Sequence, residues 1–301
     1  FMLQKWIPGL HIGNIVFLTG LLISSLLFMS ILYGILIGKF HFTFEKIFIK
    51  SPKITQEWEG LRIVHISDLH LGSWGGANRQ LQKAVEMINS QNPDLIFFTG
   101  DLVNNSADEL EGFLPILREL EARIGKYSVL GNHDYGDYYP WDTQQEKELN
   151  LQKIKAAHGK MGFHLLLNDA AVLEGKTSKL GIIGVENWGL PPFHQYGDLK
   201  QALSSRKEQT DFTVLLSHDP SHWRAEVIKY PTIDLMLSGH THGMQFGFYN
   251  HRFKWSPSKW KYPEGGGLYS ENGQHLYVNT GMGFIGFPGR VGIRPRITLI
   301  A

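Results

Sequence analysis

Five short apolar runs in this chain each end in side chains that can bind a metal ion or move a proton. Residues 61–66 lead into Ser67-Asp68-Leu69-His70, and residues 95–99 into Gly100-Asp101. Residues 128–130 lead into Gly131-Asn132-His133-Asp134, residues 213–216 into Ser217-His218-Asp219, and residues 235–237 into Ser238-Gly239-His240-Thr241-His242. Carboxylate, carboxamide and imidazole are oxygen and nitrogen donors suited to divalent metals such as Mn, Fe, Zn or Co. Two such ions about 3.5–4 Å apart can clamp a phosphoryl group and neutralise the charge that develops on it. Asp68 and His70 are two apart on extended or turning chain, so both can reach one ion. His240 and His242 share that spacing and can face different ions. The chain holds 14 His and no Cys. Imidazole and carboxylate are therefore its only strong metal ligands, and a disulfide scaffold or a cysteine nucleophile is excluded.

Singly, these motifs say little. Asp-x-His is common, Gly-Asp is usually a turn, and Asn-His-Asp is usually a capped turn. Their order, all at the ends of apolar runs, is what points to one site. The elements that must position them alternate between strand and helix. Strands are expected at 61–67, 94–99, 127–130, 179–185, 212–217, 233–238, 276–279 and 297–300, and helices at 78–91 and 106–123. That alternation implies an α/β fold with βαβ units. In such sheets, ligands gather at the carboxyl ends of strands.

The start of the chain has another character. Residues 12–38 contain no Asp, Glu, Lys or Arg over 27 positions, and a bilayer core needs about 20 apolar residues as helix. A transmembrane helix is expected there. Lys5 precedes it alone, whereas Lys39, Lys46, Lys50 and Lys53 follow, so the positive-inside rule places the bulk of the protein in the cytoplasm. Trp6, Phe40, Phe42 and Phe44 are candidates for the membrane interfaces, and residues 41–56 read as a linker. The expected division is an anchor with linker at 1–50 and one domain at 51–301. Hydrophobic residues make up 43% of the chain, which excludes intrinsic disorder. The net charge of +1 argues against a nucleic-acid binder, which usually carries a strongly basic face. No obligate protein partner is evident.

The ordered set Asp68-x-His70, Gly100-Asp101, Gly131-Asn132-His133-Asp134, His218 and Gly239-His240-Thr241-His242 resembles the signature of the calcineurin-like metallophosphoesterase superfamily. The resemblance covers residues 60–301. The Asp-Leu-His-Leu-Gly start and the anchor resemble the membrane-anchored YkuE/YaeI-type bacterial phosphoesterases, a group that includes enzymes cleaving UDP-2,3-diacylglucosamine in lipid A synthesis. The resemblance implies two packed mixed β-sheets flanked by helices. It implies one metal on Asp68, His70 and His242, a second on Asn132, His218 and His240, and Asp101 bridging them. Manganese is the first expectation, with Fe, Zn or Co as alternatives. His133 would stand beside the metals and protonate the leaving oxygen. Asp134 would orient that imidazole, or else serve as a turn carboxylate bonding local backbone.

Three regions could recognise substrate. Gly281, Gly283, Gly286 and Gly289 lie near Arg290, Arg294 and Arg296, and glycine-rich backbone with arginines suits phosphate. Arg290 and Arg294 are the candidates there. A dinucleotide reading of these glycines fails because no helix follows. Trp255, Trp260, Tyr262 and Tyr269 among Lys254, Lys259 and Lys261 suit a membrane interface or an acyl groove. Residues 186–193, with Trp188, could form a lid. His158, His164, His194, His222, His251 and His275 lack a motif and read as surface or packing residues. The expected activity is a dinuclear-metal phosphodiesterase or pyrophosphatase acting on a lipid-linked substrate such as UDP-2,3-diacylglucosamine. The alternatives are a phosphoesterase for soluble nucleotides or monoesters, and a non-enzymatic membrane scaffold with a relict site.

Overall fold

The computed structural model describes residues 12–191, 193–249 and 254–301. The first described element is α1 (Ile12–Leu36). Its apolar side chains are exposed along most of its length, and an 18-residue stretch within Gly13–Phe40 has a mean hydropathy of 2.5. It is long and apolar enough to cross a membrane. Trp6 and Lys5 lie outside the described residues.

Two mixed sheets follow. The first has the order β1 (Thr43–Ile47), β14 (Arg296–Ile300), β2 (Ile63–Ile66), β3 (Leu95–Phe98), β4 (Gly125–Ser128) and β5 (His164–Leu165). Strands β2 to β5 are parallel, while β14 runs antiparallel to β2 and parallel to β1. The second has the order β12 (Gly267–Glu271), β13 (Gln274–Val278), β9 (Leu235–Ser238), β8 (Phe212–Leu216), β7 (Lys179–Gly184) and β6 (Asp169–Glu174). Its four central strands are parallel and its two outer ones antiparallel to their neighbours.

Side chains on a strand alternate between faces, and a strand covered on both faces reads as continuously apolar. Leu95-Ile96-Phe97-Phe98 does so, and all four are buried. Leu95 and Phe97 enter the layer between the sheets with Ile63, Ile182, Val214 and Leu237. Ile96 and Phe98 point the other way, to the cluster holding Leu81, Val85 and Ile88 of α2 (Asn78–Asn89). On the far side of the second sheet, Ile183, Leu215 and Met236 pack with Leu199 and Ala202 of α5 (Leu199–Ser205). The result is two sheets face to face with helices outside.

All eight expected strands are present, with ends within two residues of expectation. Three expectations need correction. Residues 106–123 are not one helix: a 3-10 turn (Ala107–Leu110) and the one-turn α3 (Leu114–Leu117) replace it. Gly112 at φ +79° breaks the run, and Glu109 turns back to accept from the Asn105 and Ser106 backbone N–H groups at 2.9 Å. Residues 41–56 are not simply a linker, because β1 pairs with β14 from Thr43 to Ile47. The division at residue 50 therefore leaves a strand of the sheet on the anchor's side. Phe40 and Phe42 do not face lipid as a belt: their rings lie 5.3 and 6.1 Å from Trp74, and Phe44 packs on the same core.

Candidate active site

The strand register brings the polar termini level. Ile66 pairs with Phe98 and Phe98 with Ser128, and the ladder continues beyond the strands through Asp68 N–H to Gly100 O (2.9 Å) and His70 N–H to Asp101 O (3.1 Å). The backbone there is unusual. Asp68, His70, Asp101, His240 and His242 all have positive φ, between 47° and 72°. Non-glycine residues rarely adopt this region, and strain of this kind concentrates at functional sites. It turns side chains at alternate positions inward to one point. Gly131 and Gly239 allow close approach, since a Cβ at either would overlap the Asp101 or the Asp68 carboxylate.

Among the described residues, two groups of three ligating side chains meet: Asp68 with His70 and His242, and Asp101 with His218 and His240. In the first, His242 Nε2 lies 3.0 Å from His70 Nε2 and 3.4 Å from Asp68 Oδ1. In the second, His240 Nδ1 lies 3.3 Å from His218 Nε2 and 3.0 Å from Asn132 Oδ1. Asp101 Oδ2 stands between the groups, 3.3 Å from His70 Nε2 and 3.2 Å from His218 Nε2. Outer contacts fix the rings: His218 Nδ1–H donates to Thr99 O at 2.7 Å, and the Tyr262 hydroxyl sits 2.7 Å from His240 Nε2.

The electrostatics of this cluster fit cations. Burial opposes charge on His70 and His218, but Asp101 outweighs it, raising His70 and pushing His218 up to about 10. Burial likewise opposes the Asp101 charge, yet His218 and His133 hold its carboxyl well below the usual range. Asp101 thus favours positive charge on His70 and His218. Divalent ions at the same place would supply that positive charge and release the protons. His242 is already held deprotonated, by burial, by His70 and by the Arg290 guanidinium 3.1 Å from its Nδ1. The donor set of imidazole, carboxylate and one carboxamide therefore suits two divalent ions.

His133 flanks the cluster with its ring centroid 5.0 Å from that of His70. Its Nδ1–H donates to Asn104 O at 2.8 Å, which leaves Nε2 for a substrate. Burial lowers its pKa. Asp134 does not orient this ring. Fully buried, it accepts backbone N–H groups from Gly131 and Leu102 at 2.8 Å and from Asp101 at 2.9 Å. It is the turn carboxylate, and Asn104 holds the imidazole. A cavity of about 220 Å³ lies over the cluster, lined by His70, Asp101, Asn132, His133, His240 and His242, with Phe193, Met244, Lys261, Tyr262 and Ile285 on its walls.

The four expected substrate contacts are not at this cavity. Arg290 is 1% exposed and stands behind His242, donating to Thr280 O at 2.8 Å. Arg294 opens onto a different cavity. Trp188 is buried and stacks on His222 at 4.7 Å. Trp260 is 82% exposed and does not line the cavity, whereas its neighbours Lys261 and Tyr262 do. Of the expected lid, Phe193 reaches the cavity, and Pro192 lies outside the described residues, as does His251. Tyr262, Lys261 and Phe193 sit in the aromatic and lid segments that the sequence singled out, but no spacing rule marks them individually.

Residues 61–244 match the family model for calcineurin-like phosphoesterase. The chain belongs to that family. It is a metal-dependent phosphoester hydrolase. The phosphoesterase is 34% identical over 256 residues to the metallophosphoesterase YkuE of Bacillus subtilis, covering 83% of this chain and 82% of that one. A transmembrane protein with a metallophosphoesterase domain from Danio rerio is 32% identical over 84% of this chain, which spans 55% of that relative. UDP-2,3-diacylglucosamine pyrophosphatase LpxG of Chlamydia trachomatis is 29% identical, over 77% of this chain and 80% of its own.

Proposed function

We propose that the phosphoesterase cleaves a phosphodiester or pyrophosphate bond in a lipid-linked substrate of the UDP-2,3-diacylglucosamine kind, from the cytoplasmic face of the membrane. Asp68, His70 and His242 would hold one divalent ion and Asn132, His218 and His240 the other, with Asp101 shared and manganese the first candidate. The observation that carries this reading is the position of Asp101 Oδ2, 3.3 Å and 3.2 Å from an imidazole of each group. When bound, the two ions would polarise the phosphoryl oxygens and neutralise their developing charge. The chain's own part is positioning and proton transfer. Asn104 fixes the His133 ring so that Nε2 faces the cavity. Burial makes its imidazolium a readier acid, suited to passing the Nε2 proton to the departing oxygen. Lys261 at the wall adds positive charge where an anion enters.

The lipid reading draws support from the surroundings of the cavity. Met244 and Ile285 line it, and exposed Phe246 and Phe287 continue the apolar surface next to them. Their loops bond directly to the loop that seats α1: Val291 N–H donates to Gln245 O at 2.8 Å, and Arg290 N–H to Gly34 O at 3.1 Å. The anchor thus ends beside the mouth. We place the anchor at residues 12–40 and the start of the catalytic domain at Thr43. The test is turnover by the full chain with Mn²⁺ on vesicle-borne UDP-diacylglucosamine, bis-p-nitrophenyl phosphate and p-nitrophenyl phosphate. Activity on the monoester alone overturns the lipid reading in favour of soluble monoesters. Asp101→Asn should lower turnover by about a hundredfold or more, beyond the 10–100-fold typical of outer-shell changes. Full activity in folded, metal-replete Asp101→Asn protein would overturn the site assignment.

A further inference from the structure

A second cavity, of about 570 Å³, lies at the foot of the anchor. Tyr33 and Gly38 from the end of the anchor line it together with Lys254, Arg290, Arg294 and Arg296. Among the described residues Glu45 is the one acid on its wall, and it is engaged by Arg296 Nη1 at 2.6 Å. Three cations therefore remain without a lining carboxylate, in a chain whose net charge is +1. Two donors in these guanidinium groups, Arg290 Nη1 and Arg296 Nε, are buried with no partner among the described residues. Buried N–H groups are nearly always paired, and guanidinium is the side chain best shaped for phosphate oxygens. The site's height matters too. Helix α1 has 25 residues, enough at 1.5 Å per residue to cross about 30 Å of hydrocarbon and bring its last turn to the headgroup level. Basic pockets at that level attract anionic headgroups.

We propose that this cavity binds a phosphate-type anion, supplied as a phospholipid headgroup beside α1 or as free phosphate. It is separate from the metal-ligand cluster and shares with it only Arg290, whose Nη2 lies against His242. The variant Lys254→Glu/Arg294→Glu tests it, since both residues are exposed and neither belongs to the catalytic cluster. The full chain is placed in nanodiscs of phosphatidylcholine with phosphatidylglycerol, and lipids retained on release are counted by native mass spectrometry. The wild type should retain one phosphatidylglycerol per chain, and the variant should weaken retention about tenfold or more per charge changed. In discs of phosphatidylcholine alone, inorganic phosphate is added instead. A phosphate adduct that the variant loses assigns the site to free phosphate. Retention of both lipid and phosphate unchanged in the variant overturns the proposal. Hydrolysis of bis-p-nitrophenyl phosphate in the same discs reports on the metal cluster independently.

Discussion

Asp134 illustrates how much a single carboxylate can hold. It gathers the backbone of two strand-end loops, so that Gly131, Asp101 and Leu102 all donate to it. Burial and the nearby Asp101 charge push its pKa up to about 7, against the pull of those donors. Val103 N–H donates as well, at 3.3 Å, so truncation would leave four buried N–H groups unpaired, at about 1–3 kcal/mol each. Asp134→Ala should therefore lower unfolding free energy by about 3 kcal/mol or more in a denaturant titration, with Asp134→Asn in between. At this scale the sequence was informative about side-chain type but not about pairing. Asp68, His70, His218, His240 and His242 are visible as a pattern at strand ends. Their positive φ values and the substitution of Asn104 for Asp134 as the support of His133 are not, because both depend on how two loops meet in space.

Among the elements, the end of α1 is the one whose seating is most constrained. A Cβ at Gly34 would come within 2.7 Å of Val291 Cγ2 and 2.9 Å of Arg290 O, and one at Gly38 would collide with the Arg290 carbonyl. Gly38→Ala should lift this turn and break the Arg290 N–H to Gly34 O bond. Amide hydrogen exchange at Arg290 should then accelerate, and turnover on a soluble diester should fall with it. The elements the sequence concealed have physical reasons. Strand β1 is a sheet edge reading Thr-Phe-Glu-Lys-Ile, paired on one side and half-buried except at exposed Lys46, so its charged residues mask it. Helix α4 (Gln144–Lys160) buries only Asn150, Ile154, Ala157 and His158, too few apolar positions to show a helical period. Buried strands such as β3 and β8 were plain because both their faces are covered.

For the molecule as a whole, stability should depend on metal and on acidity. Chelation should lower the melting temperature and Mn²⁺ should restore it, since a ligand at a hundred times its dissociation constant adds about 2.7 kcal/mol. His65 and His158 are fully buried, and burial pushes each down to about 3 from 6.5. The unfolded chain takes up these protons first as pH falls. The stability that these two histidines contribute is therefore complete above pH 6.5 and declines from there toward pH 3, by about 1.4 kcal/mol per pH unit for each. His158→Gln should remove about half of that slope in urea midpoints measured against pH. The anchor also changes meaning at this scale. A mere tether could be exchanged for any apolar helix without consequence. Here Arg290 touches α1 through its backbone and His242 through its side chain. Shuffling the first forty residues among related chains should succeed only when the loop around position 290 travels with them, so the two segments form one heritable unit.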